Sequence, residues 1–288
     1  MAVLQDGDFE LDGYLFSGSR RRPLFVQGVD VETAKDRAQD VLNPLGDDLL
    51  QGRDHRVPPL WKFALRVGHG GATATLANLA AVTRAWRKLD AVPGAESVLR
   101  YAVDGRTRRV YGRARDLQPT IGQVYDIGRV VASAAFQAKD VWHYADELNT
   151  LTVGLVPVSS GGLVAPLISP LTTVAGAQRQ GLVTVGGDAP APVELVFKGP
   201  IVNPKASSAG WEVGLNATLA YDQTVTVNAR TGTVLRNDGA SLAGALTRRT
   251  YLPDARLRPG DRELIFSGTD QTGTASCTMR WRNTFISF

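Results

Sequence analysis

Two glycine-rich segments carry residue types that acyl-transfer enzymes use. Gly68-His69-Gly70-Gly71 is similar to an esterase oxyanion loop, and Gly239-Ala240-Ser241-Leu242-Ala243 nearly matches a nucleophile elbow. In an α/β-hydrolase the catalytic histidine follows the nucleophile in the chain, whereas the last histidine here is His143. This order argues against esterase chemistry, so we expect two ordinary loops and no catalytic residues.

A second group combines carboxylates with one imidazole, a set that can bind zinc or manganese. Its members are Asp140, His143 and Asp146 or Glu147. Only one histidine takes part, and its position between Trp142 and Tyr144 is typical of a packing residue at a domain edge. The glycine-rich stretches also lack the spacing of a P-loop or Rossmann phosphate site. The sequence therefore predicts no metal site and no cofactor.

Two arginine clusters are candidates for binding an acidic partner or DNA. Arg20-Arg21-Arg22 is such a candidate, although most arginine runs are solvated loops, which is the interpretation we favour. The second cluster lies along one predicted strand and comprises Arg106, Arg108, Arg109, Arg113 and Arg115. Residues 106 and 108 project to one face and the others to the opposite face, so no single basic stripe forms. We expect an edge strand protected by charge.

The composition predicts a globular protein. The chain has 288 residues, enough for two domains, with 43% hydrophobic and 21% charged residues. A net charge of +4 and a pI of about 9.3 are too weakly basic to predict specific nucleic-acid binding. Neither a secretory signal nor an apolar span of about 18 residues is found, so no membrane span is expected. The single cysteine, Cys277, excludes an intrachain disulfide and indicates synthesis in a reducing compartment.

The last third of the chain alternates apolar and polar residues, as half-buried strands do. In the final run one face carries Ala275, Cys277, Met279 and Trp281. Further strands are predicted at 193–197, 224–228, 233–235 and 263–267, with turns at 229–232, 237–239 and 258–261. Closely spaced short strands of this kind are typical of an antiparallel sandwich, with Cys277 and Trp281 in its core.

The first half of the chain combines strands with one strong helix. Strands are predicted at 9–16, 61–67 and 128–136, and a β-hairpin is predicted where Ser97–Val103 and Arg106–Tyr111 flank Asp104-Gly105. Apolar residues at three-and-four spacing predict an amphipathic helix with Thr73 or Thr75 as its N-cap. They are Leu76, Leu79, Val82, Trp86 and Leu89.

An uncharged segment, Leu148 to Gln178, separates the two halves. Prolines and a glycine pair interrupt any regular element in it; they are Pro157, Gly161-Gly162, Pro166 and Pro170. Two interpretations are open: a linker packed across both domains, or an arm that pairs with a neighbouring subunit, since uncharged exposed strands promote association.

Six elements of the second half follow one another in the order found in one viral family. They are Phe197-Lys198-Gly199-Pro200-Ile201-Val202-Asn203-Pro204, the Trp211 to Leu219 stretch, the Val225-Thr226-Val227-Asn228 hairpin, Leu257-Arg258-Pro259-Gly260-Asp261, Glu263 to Gly268, and Met279-Arg280-Trp281-Arg282. This order over about a hundred residues resembles the C-terminal galectin-like sandwich of siphophage distal tail proteins, called minor tail proteins in actinobacterial phages. The end of the first half, with Phe136, Asp140 and Tyr144 at intervals of four, resembles the end of that family's belt domain.

The resemblance implies a mainly β protein with a belt domain containing one helix at 1–150, a connector at 151–180 and a galectin-like sandwich at 181–288. It implies a homohexameric ring at the distal end of the tail in the virion, made in the host cytoplasm and without enzymatic activity. The implied partners are the tail tube protein, the hub of the tail tip and the tape measure protein. The alternative is a carbohydrate-binding adhesion module, with Trp211-Glu212 as a stacking ring beside a carboxylate.

Overall fold

The computed structural model describes residues 3–18, 24–32, 36–52, 54–68, 70–88, 94–122, 124–155, 180–270 and 272–288. These residues form two compact units: the first runs to Asp146 and includes Ile286–Phe288, and the second is Glu147–Phe285. Both are built mainly from antiparallel strands, which confirms the predicted mainly β class. The predicted arginine run at 20–22 and residues 156–178 of the uncharged segment lie outside the described residues.

The first unit is a strongly curved antiparallel sheet with one long helix. Its elements are β1 (Phe9–Leu11), β2 (Tyr14–Phe16), β3 (Leu24–Val31), β4 (Asp36–Arg37), β5 (Val41–Leu42), β6 (Leu49–Leu50), β7 (His55–Arg56), β8 (Leu60–Val67), α1 (Ala72–Trp86), β9 (Ser97–Val103), β10 (Arg106–Thr120), α2 (Val124–Ile127), β11 (Val130–Ala138) and β12 (His143–Ala145). The main sheet has the order β2-β1-β9-β10-β11-β8-β3, with β12 beside β10. The end strands β2 and β3 meet at Ser17, whose backbone is hydrogen-bonded to Leu24 and Val26, so the sheet curls back on itself.

The core of this unit is aromatic. The Phe63 ring lies 5.4 Å from Phe9, 5.6 Å from Phe16 and 6.0 Å from Trp86, each in edge-to-face geometry. The alternation predicted for β8 is confirmed, because Trp61, Phe63, Leu65 and Val67 are all buried. The predicted hairpin is also confirmed: Asp104 and Gly105 have φ of 53° and 68°, as a tight type I′ turn requires.

The predicted helix forms over Ala72–Trp86, but its N-cap was predicted wrongly. Leu89, the last residue of the predicted apolar stripe, lies outside the described residues. The helix begins after Gly71, which has φ 93°, and no side chain caps it. Thr75 is buried in the first turn and its hydroxyl donates instead to the carbonyl of Gly128, 2.7 Å away. A tertiary contact therefore uses the hydroxyl that local sequence rules assign to capping.

The prediction that 106–115 is an edge strand is wrong. β10 pairs with β9 on one side and with β11 and β12 on the other, so it lies inside the sheet. Arg108 and Arg109 are buried in it. Charge that protects an edge and charge neutralised by a buried partner look alike in a sequence, and here the partner of Arg109 is Asp146.

The second unit is a β-sandwich. Its elements are β13 (Asn149–Gly154), β14 (Gln180–Val185), β15 (Ala191–Pro192), β16 (Glu194–Lys198), β17 (Ile201–Ser208), β18 (Trp211–Gly214), β19 (Thr218–Leu219), β20 (Thr224–Asn228), β21 (Thr233–Arg236), β22 (Arg256–Leu257), β23 (Gly260–Thr269), β24 (Ser276–Trp281) and β25 (Thr284–Phe285). One sheet has the order β13-β24-β16-β20-β21, and the other has β14-β23-β17-β18 with β19 beside β17. Apolar residues from both sheets form one core, which confirms the predicted sandwich.

The final strand has the predicted register, with Ala275, Cys277, Met279 and Trp281 all buried. Burial raises the pKa of the Cys277 thiol. Residues 151–154 of the predicted connector form part of β13, which pairs with β24 along Asn149–Gly154. Strand pairing across more than a hundred residues leaves no local signal in the sequence.

The Gly-Pro-x-x-Asn-Pro segment has a clear backbone function. A Cβ on Gly199 would lie 2.1 Å from the carbonyl oxygen of Ala220, so only glycine fits. The Gly199-Pro200 bond is cis, and Asn203 has φ 50°. The register of β17 against β23 shifts between Val202 and Lys205, so this segment forms a β-bulge.

Candidate assembly surfaces

The two segments with esterase-like sequences lie in different units. Gly68 follows β8 and Gly71 precedes α1, while Ser241 is exposed in the second unit. Ser241 makes an isolated bridge to Leu235 and precedes a short 3-10 helix, Ala243–Ala245, rather than the long helix of a nucleophile elbow. The local geometry is that of ordinary loops; His69 is outside the described residues.

The imidazole of His143 is packed among aromatic rings. Its Nδ1 lies 2.6 Å from the hydroxyl of Tyr101, and its ring lies 5.0 Å from Phe288 and 6.0 Å from Trp61. The neighbouring carboxylate of Asp140 accepts the hydroxyl of Tyr144 at 2.8 Å. Among the described residues, no group of three or more His, Cys, Asp or Glu side chains is placed to hold a metal ion.

A buried ion cluster connects β1, β9, β10 and the residues after β12. The guanidinium of Arg100 donates to Glu10 at 2.9 Å and to Asp146 at 2.7 Å, and Asp146 also pairs with Arg109. Burial of Asp146 opposes its ionisation, but hydrogen bonds from Arg100 and Arg109 outweigh burial and lower the pKa of this carboxyl. Two cations thus balance two anions, and Asp146, one of the candidate metal ligands considered from the sequence, forms structural ion pairs instead.

Trp211 does not offer a sugar-stacking surface. Its side chain is 7% exposed and belongs to the sandwich core, and Glu212 pairs with Lys205 at 2.7 Å. A stacking platform needs an exposed ring face, so the geometry at this position disfavours the adhesion hypothesis.

Residues 36–52 and 54–56, which we call the arm, form two small ladders between β3 and β8. β4 pairs with β7 and β5 pairs with β6, with Asn43 and Asp48 hydrogen-bonded across the turn at 2.9 Å. The tip of the arm, residues 38–52, is apolar on both faces, because Val41 lies opposite Leu50 and Leu42 opposite Leu49. All four side chains are exposed, and Leu45 at the turn is 96% exposed.

A cleft of about 440 Å³, which we call the basic groove, lies beside the end of α1. It is lined by Trp86, Arg87, Ser97, Arg113, Arg115 and Leu117, with Asp116 as its one acidic lining residue. The indole of Trp86 donates to the carbonyl of Arg115 at 2.6 Å, and Arg113 Nε donates to the carbonyl of Ala95 at 2.9 Å. These two hydrogen bonds fix the positions of Trp86 and Arg113 in the walls of the groove. The side chains of Arg87 and Arg115 are exposed to solvent.

Solved structures with a similar fold come from phage tails. The SPP1 Dit protein, described as a paradigm of the hub adsorption apparatus in phages that infect Gram-positive bacteria, superposes with a TM-score of 0.61 at 12% identity, covering 96% of this chain and 98% of that one. The chain has the fold of that Dit protein. Phage P2 baseplate structures in the activated conformation match with TM-scores of 0.56 (with Ca) and 0.57 (with Sr), at 10% identity, covering 95% of this chain and 97% of theirs. No family model and no curated protein matches the chain.

The likeness to distal tail proteins predicted from ordered motifs is thus confirmed for the fold. Sequence reasoning missed the arm and the ion cluster. The turn at Asn43-Pro44, between the pairs Val41-Leu42 and Leu49-Leu50, is a signal that would have indicated the arm. The ion cluster has no such signal, because Glu10, Arg100 and Asp146 are far apart in the chain. In the described parts of the chain no helix is long and apolar enough to cross a membrane.

Proposed function

We propose that this protein is a structural component of a phage tail tip. Its subunits would form a hexameric ring at the distal end of a long non-contractile tail, linking the tube to the hub used in host attachment. The observation that carries the proposal is the fold match, which extends over 96% of this chain and 98% of the SPP1 Dit protein. A match of both units in one chain is more specific than a match of a sandwich alone.

In this proposal residues 1–150 form the belt, which contacts the tube, and the sandwich, of galectin type, faces the hub. The partners are a second copy of the chain, the tail tube protein, the hub protein and the tape measure protein. Catalysis is not part of the proposed role. The dispersed esterase-like residues and the structural ion pairs of Asp146 support this.

Particle imaging of the purified protein tests the proposal. We expect closed rings with sixfold symmetry, either alone at high concentration or after addition of tail tube protein, because a template favours weak contacts by mass action. Monomers that neither form rings nor bind tube or hub protein would contradict the proposal. Binding to purified host cell-wall glycans without ring formation would instead support the adhesion module.

A further inference from the structure

The tip of the arm has the composition of a buried contact but lies in solvent. A hairpin that is solvated on both faces is normally polar on both, whereas this one carries leucine or valine on each face. Leu42 is 77% exposed and Leu49 is 50% exposed. Exposed clustered apolar residues of this kind mark an interaction surface.

The charge of the tip restricts the kind of partner. Residues 38–52 contain Asp40, Asp47 and Asp48 and no lysine or arginine. Like charges across an interface are strongly unfavourable, so an acidic partner surface is disfavoured, and a surface that is basic and also provides apolar area complements the tip best.

The basic groove of the same chain has both properties. Three arginines and one aspartate line it, and the aliphatic stems of the exposed Arg87 and Arg115 provide apolar area beside their charges. The tip of a subunit does not fill its own groove, since the side chains of the tip are exposed.

We infer that the tip of the arm of one subunit docks into the basic groove of a second copy of this chain. The two surfaces differ, so the contact is head to tail, and repeated contacts of that type close into a ring when the rotation permits. This inference depends on the proposed function and names the contact that builds its ring.

Paired charge reversals test the inference. The tip variant is Leu45→Arg with Asp47→Arg, two side chains at the turn of the arm, and the groove variant is Arg87→Glu with Arg115→Glu. Each variant should weaken self-association at least about tenfold, and combining all four changes in one chain should restore much of it. Sedimentation velocity and native mass spectrometry, over a wide concentration range and with tail tube protein added, measure the oligomers.

An equimolar mixture of the two variants gives the sharpest result. The groove variant keeps a native tip and the tip variant keeps a native groove, so these two form a native junction, while the reversed tip and the reversed groove form the second junction. The mixture should therefore form rings in which the two variants alternate, although neither variant forms rings alone. A matched control, Arg106→Glu with Asp254→Arg, changes exposed charges outside both surfaces and should assemble like the wild type. Unchanged thermal melting of each variant shows that its fold is intact.

The outcomes separate this inference from the proposed function. Wild-type rings that persist in the tip variant would overturn the inference and leave the ring proposal standing. A tip variant that forms rings but no longer binds tube protein would show that the tip docks on the tube instead. Wild-type protein that never assembles, alone or with tube protein, would overturn both.

Discussion

Replacing Trp281 tests the packing of the sandwich most sharply. Its side chain is 5% exposed on β24, a strand paired with β13 on one side and β16 on the other. Truncating a buried tryptophan to alanine typically costs about 3 to 5 kcal/mol. We therefore expect Trp281→Ala to lower the free energy of unfolding of the second unit by about 3 to 5 kcal/mol.

Trp281→Phe provides the matched comparison. The indole Nε1 of Trp281 is buried and has no hydrogen-bond partner among the described residues. Phenylalanine leaves a cavity of about 40 Å³, which at about 24 cal/mol per Å³ costs about 1 kcal/mol. It also removes an unsatisfied buried donor, which is worth about 1 to 3 kcal/mol. The two effects oppose each other, so the free energy of unfolding of this variant should be within roughly 1 kcal/mol of the wild-type value, or higher.

The cysteine makes the assay specific to the second unit. Cys277 is the single cysteine and lies on the same strand as Trp281, so its labelling reports unfolding of the sandwich alone. Brief pulses of thiol reagent at increasing urea give the midpoint for each variant. Equal urea midpoints for wild type and Trp281→Ala would refute the register of β24 that buries Trp281. A loss of stability in Trp281→Phe as large as that in Trp281→Ala would refute the reasoning about the indole nitrogen.

Three further predictions concern single residues. The native Cys277 thiol should resist labelling at pH 8, because burial raises its pKa; rapid labelling without denaturant would contradict this. Asp146→Asn should lower the free energy of unfolding at pH 7 by about 2 to 3 kcal/mol. This is somewhat less than the loss expected from breaking a fully buried ion pair, because the side chain of Asp146 is 20% exposed. The lowered pKa of Asp146 means that its contribution is present above the ordinary value of 3.8 and is lost as pH falls through the folded value, so acid titrations should be shallower in the variant. Gly112→Ala should unfold the first unit at lower urea, because its Cβ would lie 2.1 Å from the carbonyl oxygen of Gln137; a wild-type midpoint would refute this.

Local patterns explain the predictions that are confirmed. The alternation ending at Trp281 and the turn at Asp104-Gly105 depend on neighbouring residues alone, so their effect is visible in the sequence. The order of motifs added what local patterns cannot provide, which is the match to a complete two-unit fold.

Contacts between distant parts of the chain explain what was missed. Arg109 on β10 is neutralised inside the sheet by Asp146, and no spacing rule links these two residues. The pairing of β13 with β24 is equally nonlocal. The arm differs from these cases, because its ladders of two residue pairs are too short for a periodic signal and the turn at Asn43-Pro44 is the local feature that indicates it.

Imaging intact particles of the parent phage tests the central claim most directly. Gold-labelled antibodies against this protein, followed by averaging of the tail tip in cryo-electron micrographs, would locate it. The account predicts label at the distal end of every tail and a sixfold ring on the tail axis between tube and hub, into which the two units fit. Label on the capsid, absence from the particle, or peripheral fibres without an axial ring would contradict it.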